Sequence, residues 1–472
     1  MRAFTRLGAL VFATVLSLMT ILTILPQSRY TEHIRKIEIG GTSINDVTGG
    51  LWDWASGDDG EEGGVRLVVF GDSWVDDRIE ENGIGKGRSW TDVLCEELAC
   101  TSQINLAASQ PAASYPSAPP TGALASIKTY LSTIERIPGY NKSSEVMLPD
   151  FEAQIKSFIA LPQPKHKLRE TIFVMSFGTW DVWHYAALDY AKALEAQNKA
   201  VAEMFAQLDN LYAHHRATLE ATHLIEVPHN ESHVVPKPQF RVVIPKLFDP
   251  TMLPGWLSQR PVPLKPTTVA EVQKNAIHLL SEWDFKMENS IKPWFASTPE
   301  AATTSEWIEP APEKAVSGGE NQSQSKRGKS EKSKEKSEIA PPQKDIYYYD
   351  LNRFLTEVIL EHQLEDEGLS DGYGLGSKES PYISVYDPCV READSGEDRR
   401  LAKAGSIQET RNAPDINGLL VCESPDEYLF WDDFTMGSTA KEKVGREVAK
   451  MIKLGHTLRA AWGDGTVPGI NF

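Results

Sequence analysis

A chain of 472 residues that is 41% hydrophobic, with 12 Trp, 14 Tyr and 16 Phe, has ample material for a sizeable core, either as one α/β domain with insertions or as two or three domains. Its formal net charge of −18 argues against a nucleic-acid partner, since a polyanion would be repelled. No Cys or His spacing resembles a zinc site and no nucleotide or redox motif is present, so no metal or cofactor is expected.

Residues Leu7 to Pro26 carry no charge and reach the roughly 20 residues of a membrane span. The stretch exceeds the apolar region usual in cleaved signal peptides, and no small-x-small cleavage site follows, which favours a signal anchor over a removed signal peptide. Arg2 and Arg6 before the span and Arg29, Arg35 and Lys36 after it leave the orientation open. Sequons at Asn141, Asn230 and Asn321, together with four cysteines, point to a secretory-pathway protein whose bulk is lumenal or extracellular. Cys389 and Cys422 bracket a loop-rich stretch that a disulfide would pin, whereas Cys95 and Cys100 pair only if a helix ends between them; four free thiols is the alternative.

Residues 27–64 read as a stem that ends in an acidic, Gly-rich run. Val65-Arg66-Leu67-Val68-Val69-Phe70 then reads as a short buried strand running into Gly71-Asp72-Ser73, which places a serine hydroxyl at the carboxyl edge of a sheet, where open α/β folds hold ligands. Ser89 is the predicted N-cap of a helix to Leu98. Gln103 to Leu106 is a second strand, leading to Ala107-Ala108-Ser109. Leu148 to Leu161 has helical periodicity, with Phe151, Ile155, Phe158 and Ile159 on one face. Thr171 to Ser176 is a third strand and ends in Phe177-Gly178-Thr179-Trp180-Asp181. A long helix is predicted from Ala186 to Ala213, a fourth strand from Arg241 to Pro245, and a helix from Thr268 to Ile291.

The composition of 297–344, rich in Pro, Ser, Glu and Lys, cannot bury enough apolar surface to fold and reads as an insertion inside the domain. A fifth strand over Ile346 to Tyr349, a helix from Leu351 to His362 and a closing helix from Ser438 to about Arg459 complete the domain, 65–460, before a tail over 461–472. Strands alternating with helices imply a three-layer α/β sandwich around a central, mostly parallel five-stranded sheet.

Gly71-Asp72-Ser73, Gly178-Thr179-Trp180-Asp181 and Tyr428-Leu429-Phe430-Trp431-Asp432 resemble the first, third and fifth sequence blocks of the GDSL esterase/lipase family of SGNH hydrolases, in particular its secreted plant and fungal branch. The resemblance covers about Val65 to Arg459 outside the insertion, and it implies a flavodoxin-like sandwich and acyl transfer. Ser73 would be the nucleophile and Asp432 the residue that orients a histidine base. Gly71, Asp72, Ala108, Gly178, Trp180, Asp181 and Thr435 would occupy the oxyanion and substrate-binding positions.

Three positions depart from that pattern, the mildest being the second block, where Asn105-Leu106-Ala107-Ala108-Ser109-Gln110 lacks the family's glycine, whose contribution is a backbone N–H. Thr435 stands where the family places its histidine, and a threonine hydroxyl does not titrate near neutral pH. Trp180 replaces the third block's asparagine, which exchanges an amide donor for an indole N–H of different reach. Asp181-Val182-Trp183-His184 repeats the Asp-x-x-His spacing and makes His184 the candidate relocated base; His229, His233 and His456 are poorer ones. Trp74, Trp180, Trp183 and Trp431 are candidates to line an acyl or sugar pocket, with core packing as the other possibility. The expectation is therefore a membrane-anchored ester hydrolase acting on a lipid or glycan ester. The alternative is an inactive descendant that binds a glycan or lipid in the retained cleft.

Overall fold

The computed structural model describes residues 64–76, 87–109, 121–137, 147–162, 168–223, 239–297, 341–392, 415–416 and 419–458. The candidate membrane segment, the three sequons, His229, His233 and most of the insertion lie outside them. Among the described residues no helix is long and apolar enough to cross a membrane.

The core is a five-stranded, all-parallel sheet flanked by helices. β1 (Val65–Gly71) lies inside the sheet next to the edge strand β2 (Cys100–Asn105), and β3 (Glu170–Ser176), β4 (Gln239–Pro245) and β5 (Gln343–Tyr349) follow in the order β2-β1-β3-β4-β5. β1 and β3 are nearly continuous apolar runs because both of their faces are covered. Side chains alternate across the sheet. Phe70 and Phe173 face α3 (Phe151–Ile159), where Phe70 meets Phe151 and Phe158 edge-on at 5.6 and 5.9 Å. Gln103, of the opposite parity, donates to Asp92 on α1 (Trp90–Glu97). That second face also carries α9 (Ser438–Lys453), which packs on α1. A capping box starts α1, with Ser89 accepting from the backbone and Asp92 returning to the Ser89 N–H.

The remaining helices are α2 (Ile127–Ile134), α4 (Thr179–Ala186), α5 (Tyr190–His223), α6 (Pro254–Gln259), α7 (Val269–Ala296) and α8 (Leu351–Asp366). The helix predicted from Ala186 to Ala213 is α5, which starts four residues later and ends ten residues later, with a break separating it from α4, whose last residue is Ala186. Asp189 caps the start of α5 through the Lys192 N–H, and buried Asn275 on α7 donates to the Ala186 and Leu188 carbonyls, so the break loses no hydrogen bonding. The closing helix ends at Lys453, six residues before the predicted end, and Gly455 (φ +68°) turns the chain after it.

Two small sheets flank the last block. β6 (Ser384–Pro388) pairs in parallel with β10 (Tyr428–Phe430), and β7 (Val390–Glu392), β9 (Leu419–Val421) and β8 (Asp415–Ile416) form an antiparallel ribbon. The Cys389–Cys422 disulfide joins the start of β7 to the end of β9 and packs with Trp431. Cys95 and Cys100 are buried thiols hydrogen-bonded to each other rather than a second disulfide, even though the helix does end between them. The hydrogen bond to Cys100, with burial, pushes the Cys95 thiol far above its ordinary value.

Across the sheet from the last block, Lys344 ties down the root of the insertion. Its ammonium lies 3.5 Å from Asp209, donates to the Trp294 and Ser297 carbonyls at 2.9 Å, and stands 4.3 Å over the Trp294 ring.

Candidate active site

The site is built where β1 stops. The Gly71 N–H donates to Gln154 Oε1 (2.8 Å), Gln154 Nε2 returns to the Gly71 carbonyl (2.9 Å), and the same amide donates to Pro149 O. Gly71 is thus clamped by a buried glutamine of α3. The chain then turns: Asp72 N–H donates to Ser176 O across the strand ends, and Asp72 Oδ1 accepts from Trp74 N–H at 3.0 Å, so Asp72 fixes the turn as an Asx motif. Ser73 is left at the carboxyl edge, only 8% exposed.

The Ser73 hydroxyl accepts a hydrogen bond from Trp180 Nε1 at 3.0 Å. Trp180 reaches it from α4, whose N-terminus follows Gly178. At φ +121°, and with Trp283 only 2.5 Å from where a Cβ would stand, that position admits only glycine. The indole therefore reaches the serine from the first turn of α4, just beyond the carboxyl end of β3. Gly122 allows this, since any side chain there would collide with Trp180 Nε1.

The other expected members are arranged for structure more than for proton transfer. The Ala108 N–H, expected to face an oxyanion, donates to the Gly71 carbonyl at 3.0 Å. Asp432 Oδ1 accepts from the backbone N–H groups of Phe434 and Thr435 and from Thr435 Oγ1 at 2.9, 2.7 and 2.9 Å, so the Asp-x-x-Thr segment closes on itself. Asp433 anchors the segment to α6 by accepting from Ser258 (3.1 Å) and Gln259 (2.6 Å). His184 lies one helical turn beyond Trp180, its ring 6.3 Å from the indole and 5.3 Å from Tyr130. It does not reach the Ser73 hydroxyl, whose partner among the described residues is Trp180. His456 sits in the exposed turn after α9.

Phe434, between Asp432 and Thr435, was not anticipated. Its buried ring lies 5.1 Å from both Trp180 and Trp183, and Trp183 meets Trp256 edge-on at 5.2 Å. Trp74, Trp180, Trp183 and Trp431 are all buried as well, so they fill core instead of lining an open pocket. The sequence signal for Phe434 was its apolar character beside two aspartates. Gln154 had a clearer one, as the polar interruption of an apolar helix face.

No family model and no curated protein matches this chain.

The electrostatics of the site centre on Asp181. It is fully buried on α4 and its Oδ2 accepts from Ala125 N–H at 2.9 Å, but no cation stands beside it among the described residues. Burial pushes its carboxyl up to about 7. Tyr185, one turn along α4 and also buried, is held well above its ordinary value by burial and then by Asp181. Among the described residues there is no group of side chains that could hold a metal ion.

Proposed function

We propose that this chain carries an SGNH-like domain that does not turn over esters through a serine–histidine relay, and that it binds an ester-bearing lipid or a glycan at the carboxyl edge of its sheet. The observation that carries this reading is the hydroxyl of Ser73, which receives the Trp180 indole N–H and, among the described residues, has no acceptor for its own proton. Nucleophilic attack by serine requires a base within hydrogen-bond reach. At the base position Thr435 is instead turned onto Asp432. A ligand site at this edge is supported by the general placement of ligands beyond the carboxyl ends of parallel strands. We further propose that the protein is membrane-anchored with its bulk lumenal or extracellular, on the strength of the uncharged apolar residues 7–26.

A second reading, an ester hydrolase with a relocated base, is favoured by the position of His184 on the helix that carries Trp180. Labelling of the full chain with a fluorophosphonate separates the two. The proposal expects no labelling from pH 5 to 9. Labelling abolished by Ser73→Ala and by His184→Ala would overturn it in favour of the hydrolase.

A further inference from the structure

Two buried cations stand in one row on the same face of the sheet, and their surroundings differ sharply. Arg66 on β1 pairs in register with Thr171 on β3, and Phe240 on β4 pairs with Lys344 on β5. The β3–β4 register, Ile172 opposite Arg241, aligns these four positions. Lys344 is served by Asp209 and two backbone carbonyls. Arg66, 7% exposed, has no carboxylate and no hydrogen-bond acceptor among the described residues, and its Nε is sealed from solvent without a partner. Its guanidinium stands over the face of Phe158, 5.4 Å from the ring centroid. A largely buried guanidinium with one nitrogen sealed from water and no anion beside it is unfavourable, and a cation–π contact offsets only part of that.

A second orphan stands nearby. His215 on α5 is buried against Phe173 and Phe240, and its Nε2 also lacks a partner. Burial, then the Arg66 charge, pushes the His215 imidazole down to about 4, and the same two causes lower the neighbouring His214. His214 is half-buried and packs edge-on at 5.9 Å against the Phe158 ring that covers Arg66, so it marks the way in between α3 and α5.

We propose that Arg66, His215 and His214 form a binding site for a small oxyanion of the phosphate class. The planar fork of Arg66 matches two oxygens of such an anion, and the imidazoles supply further donors. An ordered water would satisfy the orphan nitrogens and leave the charge uncompensated; an oxyanion does both. The site lies at the amino end of β1, five residues before Gly71 and so roughly 17 Å along the strand from it. It stands independently of any reading of Ser73.

The test is calorimetric titration of the full chain with inorganic phosphate, at constant ionic strength balanced with chloride. The wild type is expected to give saturable binding with net proton uptake, seen as a dependence of the heat on the ionisation enthalpy of the buffer, because a bound anion returns a proton to the imidazoles. Arg66→Met abolishes the binding, and His215→Gln weakens it about tenfold, the value of one charge-assisted hydrogen bond. No saturable heat in the wild type overturns the proposal, as does equal affinity in the wild type and His215→Gln. The latter comparison decides the matter even if Arg66→Met does not fold.

Discussion

Asp181→Asn should change how stability depends on pH. In the native state the buried carboxyl holds its proton to about pH 7, whereas in the unfolded chain it ionises near 3.8. Between those values the folded state binds more protons than the unfolded state, so stability falls as pH rises through the window from about 4 to about 7. A shift of this size corresponds to about 4 kcal/mol, at 1.36 kcal/mol per pH unit. That is a ceiling, because any water admitted to the site on ionisation lowers it. Asparagine keeps an oxygen to accept the Ala125 N–H and cannot ionise. Asp284, which burial pushes up to about 6, acts in the same direction in both proteins and cancels in the comparison. Urea unfolding of wild type and variant at half-unit steps from pH 4 to 8.5 gives the difference directly. The variant should gain on the wild type steadily across the window and level off above pH 7.5. A difference that stays flat with pH, or that grows towards acid, would refute the reasoning.

Gln154→Leu leaves the Gly71 N–H buried without a partner and should lower stability by about 2–4 kcal/mol in urea unfolding, well beyond the effect of the lost volume. Replacing Cys389 and Cys422 together by Ser opens a link between residues 33 apart and should remove about 3–4 kcal/mol, read as a lower melting temperature that reductant no longer changes. Excising residues 301–338 should shift the melting temperature by no more than a few degrees, since Lys344 on β5 already joins that strand to Trp294 and Ser297 at the end of α7; Lys344→Met in the same background should cost about 2–3 kcal/mol.

The fold was largely legible because buried parallel strands announce themselves. Val65 to Phe70 and Thr171 to Ser176 are short apolar runs bounded by turn residues, and all five strands of the sheet lie where such runs predict them. The start of α5 at Tyr190 was hidden, because helical periodicity carries across Asp189 and the residue that satisfies the turn before it, Asn275, is distant in sequence. In the site, the turn at Gly71-Asp72-Ser73 was readable from local chemistry. The partner of Ser73 was not: Trp180 reads equally as core or donor until the bare Cα of Gly122 makes room for its indole N–H. The commitment of the Ala108 N–H to Gly71 and the placing of Phe434 against Trp180 are likewise long-range facts that no spacing encodes.

The row that ends at Lys344 bears on how the chain assembles. β4 and β5 are neighbours in the sheet, yet 97 residues lie between Pro245 and Gln343. Loop closure grows only logarithmically with length, by about 0.6 kcal/mol per doubling, so the long excursion scarcely weakens the finished protein. Its consequence is kinetic. During synthesis β1 to β4 can pair first, and the outer edge of β4 then waits, with its backbone groups unpaired, for β5 to emerge. An open edge of that kind is a template for strands from other copies, so the interval before β5 docks exposes the chain to edge-to-edge pairing.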